Sequence, residues 1–136
     1  RDFDLSFTFR AVVGNDVYNV SRMALENRNV AGKEKNMLAS VMDIPLQDAA
    51  QASSYYLEDG SFVKLDNITL GWTPKLNTKW ISNLRVYGTL KNVFTLTKYS
   101  GVDPTTVTTT GLWPGIGGME VYPTARNLTF GVQITY

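Results

Sequence analysis

Apolar and polar side chains alternate along four stretches of the chain. Between residues 3 and 13, Phe3, Leu5, Phe7, Phe9, Ala11 and Val13 share one face, and Asp4, Ser6, Thr8 and Arg10 share the other. That period of two predicts a strand with two unlike faces. Between 62 and 73 the later half sets Ile68, Leu70 and Trp72 against Asn67, Thr69, Gly71 and Thr73, whereas Val63 and Leu65 are apolar on the opposite phase. A bulge, or cover on both faces, accounts for that change. From 84 to 96, Leu84, Val86, Leu90, Phe94 and Leu96 face away from Arg85, Tyr87, Thr89, Lys91 and Thr95, and Gly88 and Asn92 interrupt the apolar row. The last stretch, 125 to 136, alternates Leu128, Phe130, Val132, Ile134 and Tyr136 with Asn127, Thr129, Gly131, Gln133 and Thr135.

The connections between these strands alternate in length: long from 14 to 61, short from 74 to 83, long again from 97 to 124. Transmembrane β-barrels have short turns on one side and long loops on the other. The strands also exceed the usual soluble length of about 5 to 6 residues and suit the roughly 9 to 11 tilted residues that cross a bilayer. A half-buried soluble sheet gives the same alternation. Aromatic placement adds to the barrel reading: Trp72, Trp80 and Tyr136 lie by the short turn, and Tyr55, Tyr56, Tyr99, Trp113 and Tyr122 lie by the long loops. Two such bands match interfacial girdles, although loop aromatics also pack on their own loops.

In the first long loop, Met37, Leu38, Val41 and Met42 recur at helical spacing over 34 to 42, with Pro45 as the stop, and a weaker helix pattern covers 20 to 28 around Met23 and Leu25. Short helices of this kind cap a loop's own small core. The second long loop carries a threonine run over 105 to 110 and a glycine-rich stretch over 111 to 118.

Composition narrows the chemistry. Among 136 residues there is no cysteine and no histidine, so disulfides, thiol nucleophiles, His-based triads and the usual zinc sites are excluded. Thirteen basic residues against twelve acidic ones give a net charge of +1 without a basic cluster, which argues against a nucleic-acid partner. Charged residues reach 18%, below the roughly 25% of an average soluble domain. No run approaches the roughly 20 apolar residues of a membrane-spanning helix. The chain opens Arg1-Asp2-Phe3, with neither a basic nor an apolar leader region, and reads as a piece of something longer.

Glycines 111, 115, 117 and 118 lack the Lys-Ser/Thr ending of a phosphate loop. Carboxylates Glu58, Asp59, Asp103 and Glu120 all fall in the long connections, where a pair could serve as glycosidase acid and base, but solvated loop acids are commoner and nothing in their spacing joins them. No EF-hand pattern is present. Asn19, Asn67 and Asn127 head chance glycosylation sequons, two of them within strands. Neither a catalytic group, a metal site nor a cofactor is expected. Binding through loop aromatics is easier to motivate: Trp113 is the first candidate for a substrate or partner contact, with Tyr99 and Tyr122 beside it.

The segment Tyr56-Leu57-Glu58-Asp59-Gly60-Ser61-Phe62-Val63-Lys64-Leu65-Asp66-Asn67-Ile68-Thr69-Leu70-Gly71-Trp72 resembles the C-terminal barrel of the SusC/RagA family of TonB-linked outer-membrane proteins of Bacteroidetes. So do Leu84-Arg85-Val86-Tyr87, the run from Lys91 through Asn92 to Gly101 with Asp103-Pro104, Tyr122-Pro123 with Arg126, the closing Phe130-Gly131-Val132-Gln133-Ile134-Thr135-Tyr136, and Asp4-Leu5 through Gly14 to Asn19. The segments follow in the expected order over nearly the whole chain. Two positions depart from the family: Tyr136 stands where Phe is common, and Trp72 where Tyr is more usual.

The resemblance implies an all-β fold, the last four strands of an antiparallel transmembrane barrel with short helices in a long loop. The complete barrel is of the plugged, roughly 22-stranded type. It also implies active import of a glycan or oligopeptide driven through the TonB complex by way of an absent N-terminal part, a SusD/RagB-like surface lipoprotein as lid, and no enzyme activity. Loops 14 to 61 and 97 to 124 would face outward, turn 74 to 83 and the C-terminus the periplasm. Phe130, Val132, Ile134 and Tyr136 would face outer-membrane lipid and form the signal read by the barrel-assembly machinery. The alternatives are a soluble β domain that binds carbohydrate through loop aromatics and, within the barrel class, a siderophore receptor.

Overall fold

A computed structural model describes residues 2–26, 36–43, 50–77, 80–107, 112, 114–118 and 121–136. Among them run seven strands, β1 (Phe3–Val12), β2 (Asp16–Asn19), β3 (Leu57–Asp59), β4 (Phe62–Trp72), β5 (Asn83–Thr97), β6 (Ile116–Gly117) and β7 (Asn127–Thr135). One helix, α1, covers Val20–Leu25, and 3-10 turns lie at Ala39–Asp43, Ser54–Tyr56 and Pro104–Thr106. The chain divides into two units. The first comprises Arg1–Ala11, Phe62–Leu96 and Thr124–Tyr136, the second Val12–Ser61 and Thr97–Pro123.

The first unit is a four-stranded sheet in the order β1-β4-β5-β7. Strands β5 and β7 pair antiparallel from Asn83 opposite Thr135 to Lys91 opposite Asn127. At one end of the β1 and β4 pair the Thr73 amide donates to the Asp2 carbonyl at 2.6 Å, and at the other Arg10 meets Asp66 at 3.1 Å, so these strands also run antiparallel. Asp66 and its successor Asn67 both address the polar face of β1, through Arg10 and Thr8 respectively. Two successive residues on one face are the signature of a bulge, and they explain why Val63 and Leu65 are apolar on the opposite phase from Ile68 and Leu70.

Every residue of β1, and every residue of β7 except Gly131, is exposed. Phe3 stacks on Trp72 at 6.3 Å between ring centroids, and Phe9 meets Phe94 at 6.4 Å. These rings spread along an apolar face that no described residue of the unit covers. A soluble sheet of this length buries one face to offset the entropy of ordering its backbone; here the apolar row is left facing outward.

The second unit has a core of its own. The sheet β3-β2-β6 pairs β2 antiparallel with β3, Tyr18 opposite Leu57, and parallel with β6, Asn19 opposite Gly117. Val17, Tyr99 and Val107 form one buried cluster, and Val41 and Tyr56 are buried as well. Helix α1 begins where the Asn19 side chain accepts the Arg22 amide at 2.8 Å, an N-cap that satisfies an otherwise orphaned donor. The weaker helix pattern at 20 to 28 is therefore helical as far as Leu25, with 27 and 28 outside the described residues. The stronger one, at 34 to 42, is not an α-helix where it is described. Residues 36–38 are irregular, and only Ala39–Asp43 turns, as a 3-10 helix that buries Val41 alone; 34, 35 and Pro45 lie outside the described residues. The apolar spacing there serves a tight turn against the loop core.

Candidate functional site

On the polar face of the four-stranded sheet the side chains pair with one another. Arg85 on β5 grips the Asp4 carboxylate on β1 through two nitrogens, at 2.6 and 3.2 Å. Strand β4 lies between them, and a Cβ at Gly71 would collide with that carboxylate. Glycine thus opens the path over the middle strand. Arg10 grips Asp66 in the same two-pronged way at 3.1 Å, Thr69 and Thr89 share a hydrogen bond at 2.8 Å, and the Arg85 guanidinium lies 5.2 Å from the Tyr87 ring centroid. Tyr87 in turn covers Gly131, its register partner, where a Cβ would strike the ring. On the opposite face Phe130 lies over its partner Gly88. Two glycine and aromatic pairs, one on each face, fill the same stretch of the β5 and β7 ladder.

The apolar row along β7, Phe130, Val132 and Ile134, faces the same way as Leu84, Val86 and Leu90 across the ladder. All three β7 side chains and Tyr136 are exposed. The polar face is neutralised by paired charges and threonines; the other offers only hydrocarbon. Such a sheet can stand between water and lipid.

In the second unit, polar contacts converge on Glu58. Its Oε1 accepts from Asn19 Nδ2 at 3.2 Å, Arg22 Nη1 at 3.2 Å and Ser100 Oγ at 2.8 Å, and its Oε2 accepts from the Ser100 amide at 2.8 Å. Arg22 also donates from Nε to the buried Glu26 carboxylate at 2.9 Å and from Nη2 to the Tyr55 hydroxyl at 2.8 Å, with its guanidinium 4.5 Å from the Tyr55 ring centroid. Burial by itself would push the Glu58 carboxyl up, but the two Ser100 donors, then Asn19 and Arg22, hold it below the ordinary glutamate range. It stays ionised and is saturated with donors, so it is no general acid. Asp103 is likewise occupied as an N-cap, accepting from the Thr105 amide and hydroxyl. Asp59 accepts from the Ser61 amide at 2.9 Å, and bonds to Ser61 lower its pKa. Glu120 lies outside the described residues. Among the described residues no three potential ligand side chains gather as a metal site.

The candidate contact residues separate. Tyr99 is 8% exposed. Its ring is held where Cβ atoms on Gly101 and Gly117 would collide with it, and burial, then the nearby Glu58 charge, raises its pKa. In that place it packs the loop core. Tyr122 is 87% exposed and free to touch a partner. Trp113 lies outside the described residues. The cluster of Asn19, Arg22, Glu58 and Ser100 is not among the expected sites, because in the sequence Glu58 reads as one more loop acid. Two local signals bear on it: Asn immediately before a helix pattern, and Arg22 four residues ahead of Glu26. Neither points across the 36 positions from Arg22 to Glu58.

No family model matches the sequence. The TonB-dependent receptor SusC of Bacteroides thetaiotaomicron is 30% identical over 96% of this chain, which corresponds to 13% of that receptor. The TonB-dependent receptor P3 of Formosa agariphila is 26% identical over the full chain and 15% of its own length. The chain thus spans about one seventh of these relatives. Among solved structures, the RagAB peptide transporter superposes with a TM-score of 0.79 at 23% identity, over 98% of this chain and 16% of that one. The open-open state of the RagAB peptide importer gives 0.72 over the whole chain. The long strands, the exposed apolar row and the loop unit all lie within the superposed length, so the chain shares the fold of that stretch of the transporter.

Proposed function

Because the chain belongs to the SusC/RagA family of TonB-linked receptors, we propose that it is the C-terminal wall of an outer-membrane importer that takes up an oligopeptide or glycan. The observation that carries this reading is the uncovered apolar row, Phe3 to Phe9 on β1 and Leu128 to Ile134 on β7, on strands long enough to cross a bilayer. Burying that row in lipid is favourable, and leaving it in water is not.

In this reading the loops 14 to 61 and 97 to 124 face outward, and the turn 74 to 83 and Tyr136 face the periplasm. Transport is powered through TonB acting on a plug elsewhere in the protein, and a SusD/RagB-like lipoprotein covers the mouth, with Tyr122 and Trp113 as contacts for lid or substrate. Phe130, Val132, Ile134 and Tyr136 serve as the assembly signal. The similarity to RagAB, a peptide transporter, favours peptide over glycan. The test is uptake of fluorescent oligopeptides and oligosaccharides by cells with and without the gene for the whole protein. Gene-dependent, proton-gradient-dependent uptake of either supports the reading; equal uptake of both classes without the gene contradicts it.

A further inference from the structure

Four donors on two separated segments meet one carboxylate on a third in the second unit. Asn19 and Arg22 follow β1 in the chain, Glu58 immediately precedes β4, and Ser100 immediately follows β5. Each segment is therefore the root of an excursion from a wall strand. Away from Glu58 the described side chains of these roots are also bonded: the Ser61 hydroxyl takes the Gly14 amide at 3.0 Å, the Thr97 hydroxyl donates to the Ser61 carbonyl at 2.9 Å, Arg22 reaches the Tyr55 hydroxyl, and Asn19 Nδ2 donates to Ser100 Oγ at 3.1 Å. Glu58 accepts from both of the outer two at once, with Ser100 bonded through both its amide and its hydroxyl.

We propose that Glu58 is the latch that locks the roots of the segments after β1, before β4 and after β5 into one block, and is thereby a positioning residue for the mouth of the importer. The carboxylate suits that task better than a neutral group. It accepts from four donors of different kinds, it counters the half-buried Arg22, and bonds to a charged acceptor are the stronger ones. Arg22 extends the latch sideways, tying Glu26 at the end of α1 and Tyr55 in the turn before β3 to the same point. Removing the carboxylate takes away the shared acceptor of Asn19, Arg22 and Ser100 and leaves the single Asn19 to Ser100 bond at 3.1 Å exposed to competition from water, so the segments should loosen together. The consequence for import rests on the importer reading above; the coupling of the segments does not.

The experiment uses the full-length protein in detergent micelles, with hydrogen exchange read by mass spectrometry in wild type, Glu58→Ala, Glu58→Gln and Ser100→Ala, and uptake measured in cells expressing the same variants. The latch predicts that Glu58→Ala accelerates exchange by roughly tenfold or more in 16–26 and 98–103 together, with β4, β5 and β7 unchanged. Glu58→Gln, which keeps the shape and one acceptor, should recover part of that protection, and a merely space-filling role would have it recover all. Ser100→Ala, which leaves the backbone bond, should loosen both segments more weakly. Acceleration confined to 57–60 overturns the latch. Joint loosening with uptake unimpaired leaves the latch standing and overturns its role in positioning the mouth.

Discussion

The guanidinium of Arg85 holds the carboxylate of Asp4 from two strands away, passing over Gly71 on the strand between. An exposed ion pair contributes little in water, so the arrangement acts through geometry: it sets the three strands in one register at a point where only glycine leaves room. Gly71→Ala should expel the Asp4 side chain, and Asp4→Ala should remove the same contact. The two substitutions should therefore be non-additive, the double variant being no less stable than the worse single one. Urea unfolding of the lipid-reconstituted full-length protein, with all four species compared, checks this.

A second close fit joins Tyr87 and Gly131. Gly131→Ala forces its methyl into the Tyr87 ring and should cost about 1 to 3 kcal/mol, the range for overpacking. On a Tyr87→Ala background the same change should cost far less, because the obstructing ring is gone. The difference between the two costs, measured by the same unfolding, is the coupling.

Asn92 sits at φ 53° within β5 while its side chain donates to the Ala125 carbonyl at 2.8 Å. This left-handed backbone tolerates Asn and Gly and strains a β-branched residue. Asn92→Gly should cost little beyond the lost hydrogen bond, and Asn92→Val should cost about 1 to 2 kcal/mol more. Heat-dependent gel migration of the folded barrel reports the order.

Acid should weaken the loop unit through Glu58. Its pKa is lower folded than unfolded, so the unfolded chain binds more protons as pH falls. The stability it contributes is present above the ordinary glutamate range and is lost as pH drops through its own lowered value. Protease resistance of the 97–107 segment from pH 7 to pH 3 should fall on the acid side in wild type. In Glu58→Gln it should start lower and depend less on pH.

The parts of the fold that are legible in the sequence owe it to repetition. Alternation over nine or more positions marks β1 and β7 because each face meets a single environment, and even the phase slip at Asp66 and Asn67 shows in the row of apolar residues. The loop unit is far less legible. Its order depends on a few contacts between distant residues, such as Asn19 to Ser100, and these carry no local period. Met37 to Met42 reads as helical because a 3-10 turn and an α-helix place apolar residues at similar spacing. Tyr99 reads as a contact residue because sequence cannot tell a loop aromatic that packs inward from one that points out. Family resemblance along the chain supplies the class that periodicity alone leaves open between a soluble sheet and a barrel wall.

The most direct test of the central claim is a cysteine scan of Leu128 to Thr135 in the full-length protein, with any cysteine elsewhere first replaced by serine, in native membranes. Each position is probed with a water-soluble and a lipid-soluble thiol reagent. A barrel wall predicts strict alternation: 128, 130, 132 and 134 labelled only by the lipid-soluble reagent, and 129, 131, 133 and 135 shielded from it. Water-soluble labelling at 128, 130, 132 and 134, with no alternation between reagents, would contradict the account.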